Sequence, residues 1–190
     1  DTQMARLVQR LGVTRYDADE HYKLALKAFK KKNIEEAHAQ IREAIQFLPT
    51  LAEYHATQGY FYFEEGEQDK AEEAFDQALQ LNPYEMLANY GKGMIAYADK
   101  NWQDASSYFL DALAAQPTRP ETQYYLAMVN HRLGMNGQAL TWMTEAKMGF
   151  AAAEDKRERT CNRWIREFEK LIEDGLLRFN PQNPDAPSLS

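Results

Sequence analysis

The residues of this sequence best suited to metal binding or acid–base catalysis are four histidines, His21, His38, His55 and His131. Zinc sites usually take pairs of ligands that lie only a few residues apart. His21 and His55 are instead 34 residues apart, and they occupy the same place in two copies of an internal repeat. The four side chains therefore form no close pair of ligands. We predict structural roles for them and no metal site.

The other chemistry-bearing residues also lack the arrangement of a catalytic site. Carboxylates are frequent between Glu64 and Glu73, and we interpret them as the solvated, acidic outer face of helices. Cys161 is the only cysteine, so it forms no internal disulfide and is interpreted as a structural thiol. The sequence contains no glycine-rich phosphate loop. We predict that the protein is not an enzyme and needs no cofactor.

Composition and charge narrow the class of protein. Hydrophobic residues make up 44% and charged residues 27% of the 190 positions, as in a globular domain with its own core. The net charge of -7 argues against nucleic acid as a partner, because that binding depends on neutralising phosphates. Basic clusters at 30–32 and 156–163 are interpreted as solvated faces.

The sequence has no apolar run of about 18 residues, so we predict no direct insertion into a membrane. We expect a cytoplasmic protein, with a peripheral position on a membrane complex as the alternative. The chain begins at Asp1 rather than at methionine, which indicates a truncated or processed N-terminus and leaves the localisation open.

The elements that position these residues follow a repeat of 34 residues, the interval that separates Pro49, Pro83 and Pro117. Two alanine columns, a bulky column and a small-residue column keep the same period: Ala37, Ala71, Ala105 and Ala139; Ala44, Ala78, Ala112 and Ala146; Ile41, Phe75, Phe109 and Met143; Ala25, Gly59, Gly93 and Ala127. We therefore divide 18–150 into four repeats, at approximately 18–51, 52–85, 86–119 and 120–153.

Each repeat is predicted to form two helices joined by a turn. In the second repeat Gly66 separates two segments with helical apolar periodicity, and Pro83 ends the second helix because it lacks a backbone donor. The small columns predict a close crossing of the two helices, with the bulky column filling the groove between them. The fourth repeat has Ala151 in place of the proline, so its second helix is expected to run further.

The period and the columns resemble the tetratricopeptide repeat family. The resemblance is greatest in GYFYFEEGEQDKAEEAFDQALQLNP, where the matching residues are Gly59, Tyr62, Gly66, Ala71, Phe75, Ala78 and Pro83. Ala28, Ala96 and Asn130 depart from the family pattern, which usually has tyrosine at those places. The resemblance implies an all-α fold, a right-handed superhelical solenoid of helix-turn-helix repeats whose first helices line a concave side.

The segments outside the repeats are predicted to cap them. Residues 1–17 form an N-terminal helix, either a cap or the remnant of a preceding repeat, with an apolar stripe at Met4, Leu7, Val8 and Leu11. Residues 154–175 form a C-terminal capping helix that ends at Gly175 and has an apolar stripe at Trp164, Ile165, Phe168, Leu171 and Ile172. Residues 176–190 are predicted to be an unstructured tail, which could occupy a groove of its own chain or of a neighbour.

Helical projection of the first helices predicts a groove whose middle is aromatic and almost uncharged, with charged residues such as Asp19 and Glu53 beside it. Its candidate partner-binding residues are Tyr22, Leu26, Phe29, Tyr60, Phe63, Leu87, Tyr90, Met94, Tyr97, Tyr124, Tyr125, Met128 and His131. An apolar patch of this size is typical of an interaction surface, and the alternative is that winding of the repeats buries it. Family members that bind the carboxylate end of chaperone peptides use lysine, asparagine and arginine on these helices, and that clamp is missing here.

We predict a non-catalytic adaptor or scaffold that binds another protein, through an apolar peptide or an amphipathic helix held in the groove. A second hypothesis is a self-assembly module, a homo-oligomer in which a terminal segment of another copy fills the groove. A third is a regulatory repeat domain of a larger protein.

Overall fold

The computed structural model describes residues 2–178, which form nine α-helices and no strand. The helices are α1 (Thr2–Lys30), α2 (Ile34–Phe47), α3 (Ala52–Glu64), α4 (Gln68–Leu81), α5 (Met86–Ala98), α6 (Trp102–Ala115), α7 (Pro120–Arg132), α8 (Asn136–Ala152) and α9 (Glu158–Arg178). Two compact units are present, one within residues 1–92 and one from residue 93 onward, and the boundary between them falls within α5. The helix pairs predicted from the 34-residue period are therefore present.

The turn inside each helix pair contains one residue in the left-handed backbone region. These residues are 34 positions apart: Lys32 (φ 61°), Gly66 (φ 80°), Lys100 (φ 60°) and Gly134 (φ 77°). Glycine adopts this conformation freely, whereas a residue with a Cβ is strained by about 1–2 kcal/mol. The two lysine turns have a compensating feature, because Asn33 and Asn101 cap the next helix by accepting a bond from the backbone of Glu36 and Asp104.

In the first unit the ring of Phe75 occupies the space left by the small-residue column. Phe75 is fully buried. A Cβ added at Gly59 would lie 2.6 Å from the ring, and one added at Gly91 would lie 2.2 Å from it. Carbon atoms pack best at about 3.5–4.0 Å, so any side chain at these two glycines displaces the ring. The close helix crossing predicted from the small columns is confirmed here.

The second unit shows the same packing and extends it to α9. A Cβ at Gly93 would lie 2.6 Å from the fully buried ring of Phe109. Nearer the C-terminus, Ala139 and Met143 belong to a core cluster that also includes Cys161 and Phe168 of α9. Burial raises the pKa of the Cys161 thiol to about 11, so this cysteine stays protonated and packs as an apolar side chain, as expected of a structural thiol.

A buried polar side chain forms a hydrogen bond with the proline turn that precedes each of the last three repeats. His55 Nε2 donates to the carbonyl of Pro49 at 2.7 Å. At the corresponding positions, Asn89 donates to the carbonyl of Pro83 and Gln123 to that of Pro117, each at 3.0 Å. Three different residue types thus make the same bond, and the sequence prediction did not include it.

The structure corrects the prediction at both ends of the chain. The predicted boundary at residue 17 is wrong, because α1 is one continuous helix from Thr2 to Lys30. Its only helix-breaking residue is Gly12, and a single glycine costs about 1 kcal/mol, too little to end a helix. For the same reason α9 passes through Gly175 to Arg178, so the predicted tail cannot begin at 176. Positions 179–190 of that tail lie outside the described residues.

The missing fourth proline has the predicted effect. α8 has 17 residues, whereas α2, α4 and α6 have 14 each. The helix ends at Ala152, and Glu154 follows in the left-handed region with φ of 54°.

Candidate partner-binding surface

The predicted groove residues of the first unit form an aromatic surface on α1, α3 and α5. The ring centroids of Tyr22 and Tyr54 are 5.0 Å apart, and those of Phe29 and Tyr60 are 5.7 Å apart. Phe29 also stacks on the buried Phe61 at 4.6 Å. Tyr22, Phe29 and Tyr60 are half-buried, so each ring is held on one side and open on the other. Leu26 is 41% exposed and is the most accessible apolar side chain of this set.

Carboxylates lie beside the tyrosines of this surface. The Tyr22 hydroxyl donates to Glu53 Oε1 at 2.9 Å. Burial raises the pKa of Tyr22 to about 12, and the negative charges of Glu53 and Glu85 add to the effect. Burial also raises the pKa of Glu85, whose Oε2 accepts a bond from the backbone of Ala88 at 2.6 Å. Projection of separate helices could not show that Glu53 bonds to Tyr22.

Beside Tyr22, a cleft of about 490 Å³ lies between α1 and the turn that leads to α3. Tyr54 lines this cleft with Asp19, Glu53 and, as the only cation, Arg15. The cleft is therefore aromatic and carries more negative than positive charge. A segment that combines apolar and basic side chains matches this chemistry, because a cation can lie against a tyrosine ring and pair with a carboxylate.

The remaining predicted residues of the first unit contribute less. Phe63 and Leu87 are half-buried. Tyr90 is only 9% exposed, so it offers little area to a ligand and is corrected to a core residue. Its burial follows from close packing of α5, the helix that also contains Gly91 against the Phe75 ring.

In the second unit the predicted residues form an aromatic cluster. Tyr125 is at its centre, with ring centroids 5.6 Å from Tyr97, 5.2 Å from Tyr124 and 6.1 Å from the buried Phe109. Burial raises the pKa of Tyr125, and the neighbouring Tyr97 adds to this shift. Met94, Tyr97, Tyr124, Tyr125 and His131 are half-buried. These five residues are the part of the prediction that presents surface in this unit.

Helix α9 packs against part of the predicted set in the second unit. The His131 ring lies 5.1 Å from Phe168 and 5.7 Å from Trp164. Burial raises the pKa of Tyr124, and the nearby Trp164 side chain lowers it. Met128 is 5% exposed. Met128 is therefore corrected to a core residue. Tyr124 and His131 are half-buried, and the apolar stripe of α9 packs on one side of His131.

The histidines have local structural partners. His38 Nε2 lies 2.5 Å from Glu65 Oε2, and the His21 ring nitrogen Nδ1 lies 2.6 Å from Gln40 Oε1. His131 Nδ1 lies 3.0 Å from Asn136 Oδ1. Across residues 2–178, no group of three or more histidine, cysteine, aspartate or glutamate side chains is arranged to hold a metal ion. In the same part of the chain, no helix is both long and apolar enough to cross a membrane.

A family model for the tetratricopeptide repeat matches the sequence three times, at residues 22–85, 56–120 and 90–155. Together these matches cover more than half of the chain. The chain belongs to the tetratricopeptide repeat family. A curated relative, the RNA polymerase-associated protein CTR9 of Caenorhabditis elegans, is 32% identical over 111 residues. The aligned segment is 56% of this chain, which spans only about a tenth of the length of that relative.

Solved structures of this family show the same fold. PilF of Pseudomonas aeruginosa matches with a TM-score of 0.63 and 20% identity, over 90% of this chain and 79% of that one. The first such domain of Spaghetti (RPAP3), solved with an HSP90 peptide, matches at 0.59 and 19% identity, over 63% and 98% of the two chains. A MamA fragment from Desulfovibrio magneticus RS-1 matches at 0.57 and 17% identity, over 83% and 96%. These matches confirm an all-α helical-repeat solenoid.

Proposed function

We propose that this tetratricopeptide repeat protein is a non-catalytic scaffold that binds an apolar segment of a partner protein on the aromatic surface of its first unit. The proposal further specifies that the segment carries at least one lysine or arginine. The observation that carries it is the Glu53 carboxylate, which accepts a hydrogen bond from the half-buried Tyr22 at the edge of the aromatic surface. The coarser role, protein–protein interaction, is the one expected of the family.

The apolar part of the proposal rests on Leu26, Phe29 and Tyr60. Their side chains are partly open although they lie beside well-packed rings, and a surface of this kind gains stability when a ligand covers it. Tyrosine suits such a surface because its broad ring loses little conformational entropy when a ligand binds. The Spaghetti domain was solved with an HSP90 peptide, which gives a precedent for peptide binding within the family.

The absence of catalysis is part of the proposal. The carboxylate and histidine side chains described above pair with neighbouring groups in ways that account for their positions, such as His38 with Glu65 and Glu85 with the α5 backbone. We also propose a cytoplasmic location, which rests only on the sequence.

A peptide-display selection on the intact chain tests the proposal. We expect the selected peptides to combine apolar residues with lysine or arginine, and Leu26→Ala and Glu53→Gln each to weaken their binding about tenfold or more. Leu24→Ala is the matched control, because Leu24 is 46% exposed on the same helix and lies outside the predicted stripe. Selection of acidic peptides, or equal loss from the Leu24 and Leu26 variants, contradicts the proposal.

Self-assembly is the second candidate, and a different observation favours it. The apolar stripe of the first half of α1 is open, with Met4, Leu7, Val8 and Leu11 each between 52% and 65% exposed. A second copy could bury this stripe in a helix pair. Sedimentation velocity tests this: a dimer that Leu7→Lys converts to a monomer supports the candidate, and a wild-type monomer at high concentration removes it.

The third hypothesis, a regulatory domain of a larger protein, also remains a proposal. The similarity to a tenth of CTR9 is consistent with it.

A further inference from the structure

A pocket of about 330 Å³ opens in the second unit, and neither the predicted groove nor the proposed function uses it. Leu110 of α6, Leu126 of α7 and Trp142 of α8 give it apolar walls. Helical projection places Leu126 and Asn130 on the side of α7 opposite Tyr124 and Met128. The pocket is therefore separate from the aromatic cluster around Tyr125.

Asn130 supplies a polar group in the lining of the pocket. This residue is only 4% exposed. The buried side-chain atoms that lack a hydrogen-bond partner within residues 2–178 belong to His38, His55 and Gln123, so the Asn130 amide is reached by solvent from the pocket. A ligand that brings a donor or acceptor into the pocket can replace that water.

The second repeat shows which side chain can fill this position. Asn130 corresponds to Ala28, Tyr62 and Ala96 in the other repeats, and only Tyr62, two periods of 34 residues earlier, places a ring there. The ring of Tyr62 lies 4.5 Å from the His38 ring, and Lys70 Nζ lies over it at 5.7 Å. The residues that correspond to His38 and Lys70 are Ser106 and Gln138, and both line the pocket. The pocket thus occupies the place where the second repeat holds a tyrosine ring.

The walls of the pocket are also particular to this repeat. Gln103, Ser106 and Leu110 line it from α6. One period earlier the corresponding residues of α4 are all carboxylates, Asp69, Glu72 and Asp76. An apolar ring would be poorly accommodated between those charges, whereas the α6 side chains are neutral.

We infer that the pocket binds a single tyrosine side chain presented by a partner protein. Its ring packs against Leu110, Leu126 and Trp142, and its hydroxyl forms a hydrogen bond with the Asn130 amide. The volume is sufficient, because a cavity of about 150 Å³ already holds a benzene ring. The inference does not depend on the proposed function, since the two surfaces share no residue.

Titration of the intact chain with 4-methylphenol, the side-chain analogue of tyrosine, tests the inference by nuclear magnetic resonance. We expect saturable shifts of the Leu110 and Leu126 methyl groups and of the Trp142 indole, with a Kd on the order of 1 mM for so small a probe. Toluene has the same ring without the hydroxyl and should bind several-fold more weakly. Asn130→Leu should remove that difference between the two probes.

Two blocking variants and one control complete the experiment. Asn130→Tyr places the missing ring in the pocket and should abolish the shifts. Leu110→Arg should also abolish the shifts, because the new side chain blocks the mouth of the pocket. Position 110 tolerates this change because Leu110 is 49% exposed. Met148→Arg is the matched control, because Met148 is 61% exposed on α8 and does not line the pocket.

Either of two results overturns the inference. One is an absence of saturable shifts at the pocket, or shifts that survive both blocking variants. The other is a pocket already occupied in solution by Tyr84 of a second copy, a residue that is 65% exposed. In that case Tyr84→Ala would convert a self-associated sample to monomers and expose the pocket to the probe.

Discussion

Substituting alanine for Gly91 tests the packing rule on which the repeat rests. Gly91 lies in α5, and an added Cβ would meet three atoms of the Phe75 ring at 2.2, 2.4 and 2.8 Å. Phe75 is fully buried, so the ring has no open space into which it can move. The methyl group must therefore displace the ring or separate the helices.

Two opposing terms set the size of the effect. Overpacking a well-filled core costs about 1–3 kcal/mol, and three overlaps with a buried ring favour the upper part of that range. Alanine in a helix interior gains about 0.5–1 kcal/mol over glycine. We therefore expect Gly91→Ala to lower the free energy of unfolding by about 1–2 kcal/mol. Gly137→Ala provides the control for propensity, because its Cβ meets nothing within 4 Å.

Urea denaturation followed by circular dichroism measures both variants. Gly91→Ala should unfold at lower urea than the wild type, while Gly137→Ala should unfold at equal or higher urea. Phe75→Leu adds a second test, because a smaller side chain at 75 leaves room for the methyl group. The double variant should lose less stability than the sum of the two single variants. Equal stabilities of the two alanine variants, or full additivity with Phe75→Leu, would refute the reasoning.

Three further predictions concern the turns and the tyrosine surface. Lys100→Gly should raise the free energy of unfolding by about 1 kcal/mol in urea titrations, because it relieves the strain of a positive φ. Gln123→Leu should lower it by about 1–3 kcal/mol in the same assay, because the Pro117 carbonyl loses its side-chain donor. The raised pKa of Tyr22, about 12 against 10.0 for the free side chain, means that folding favours its protonated form. Stability from this group is complete below pH 10 and is lost as the pH rises towards 12, so Tyr22→Phe should show a smaller alkaline loss in thermal melts.

The repeated parts of the fold could be predicted because the repeat shows each constraint several times. Phe75 and Gly59 illustrate this: a large residue and a small one recur at fixed positions, and the structure places them in contact. A proline at the end of three repeats, and its absence from the fourth, likewise predicted the longer α8. Local backbone chemistry and packing volume decide such features, and both can be read from residue types.

The candidate site was predicted less well because it depends on which side chains meet across helices. Projection of α7 alone placed Met128 and His131 on an open face. It could not show that Met128 would be buried in the core with Phe168 of α9, or that Trp164 and Phe168 would pack beside His131. The bond from Gln123 to Pro117 was missed for a different reason. Histidine, asparagine and glutamine occupy that position in successive repeats, so no single residue type recurs there to indicate the hydrogen bond.

Comparing positions that keep one residue type in every repeat with positions that do not helps to separate packing from function in this chain. Positions that repeat every 34 residues, such as Phe75 and Phe109, are fully buried and account for stability. The position of Asn130 has no such period, because Ala28, Tyr62 and Ala96 occupy it in the other three repeats. Tyr62 fills it with a ring packed against His38, whereas the structure has an open pocket beside Asn130. Packing of the core does not fix the residue type at this position, so the side chain there is free to serve binding, which the titration with 4-methylphenol tests.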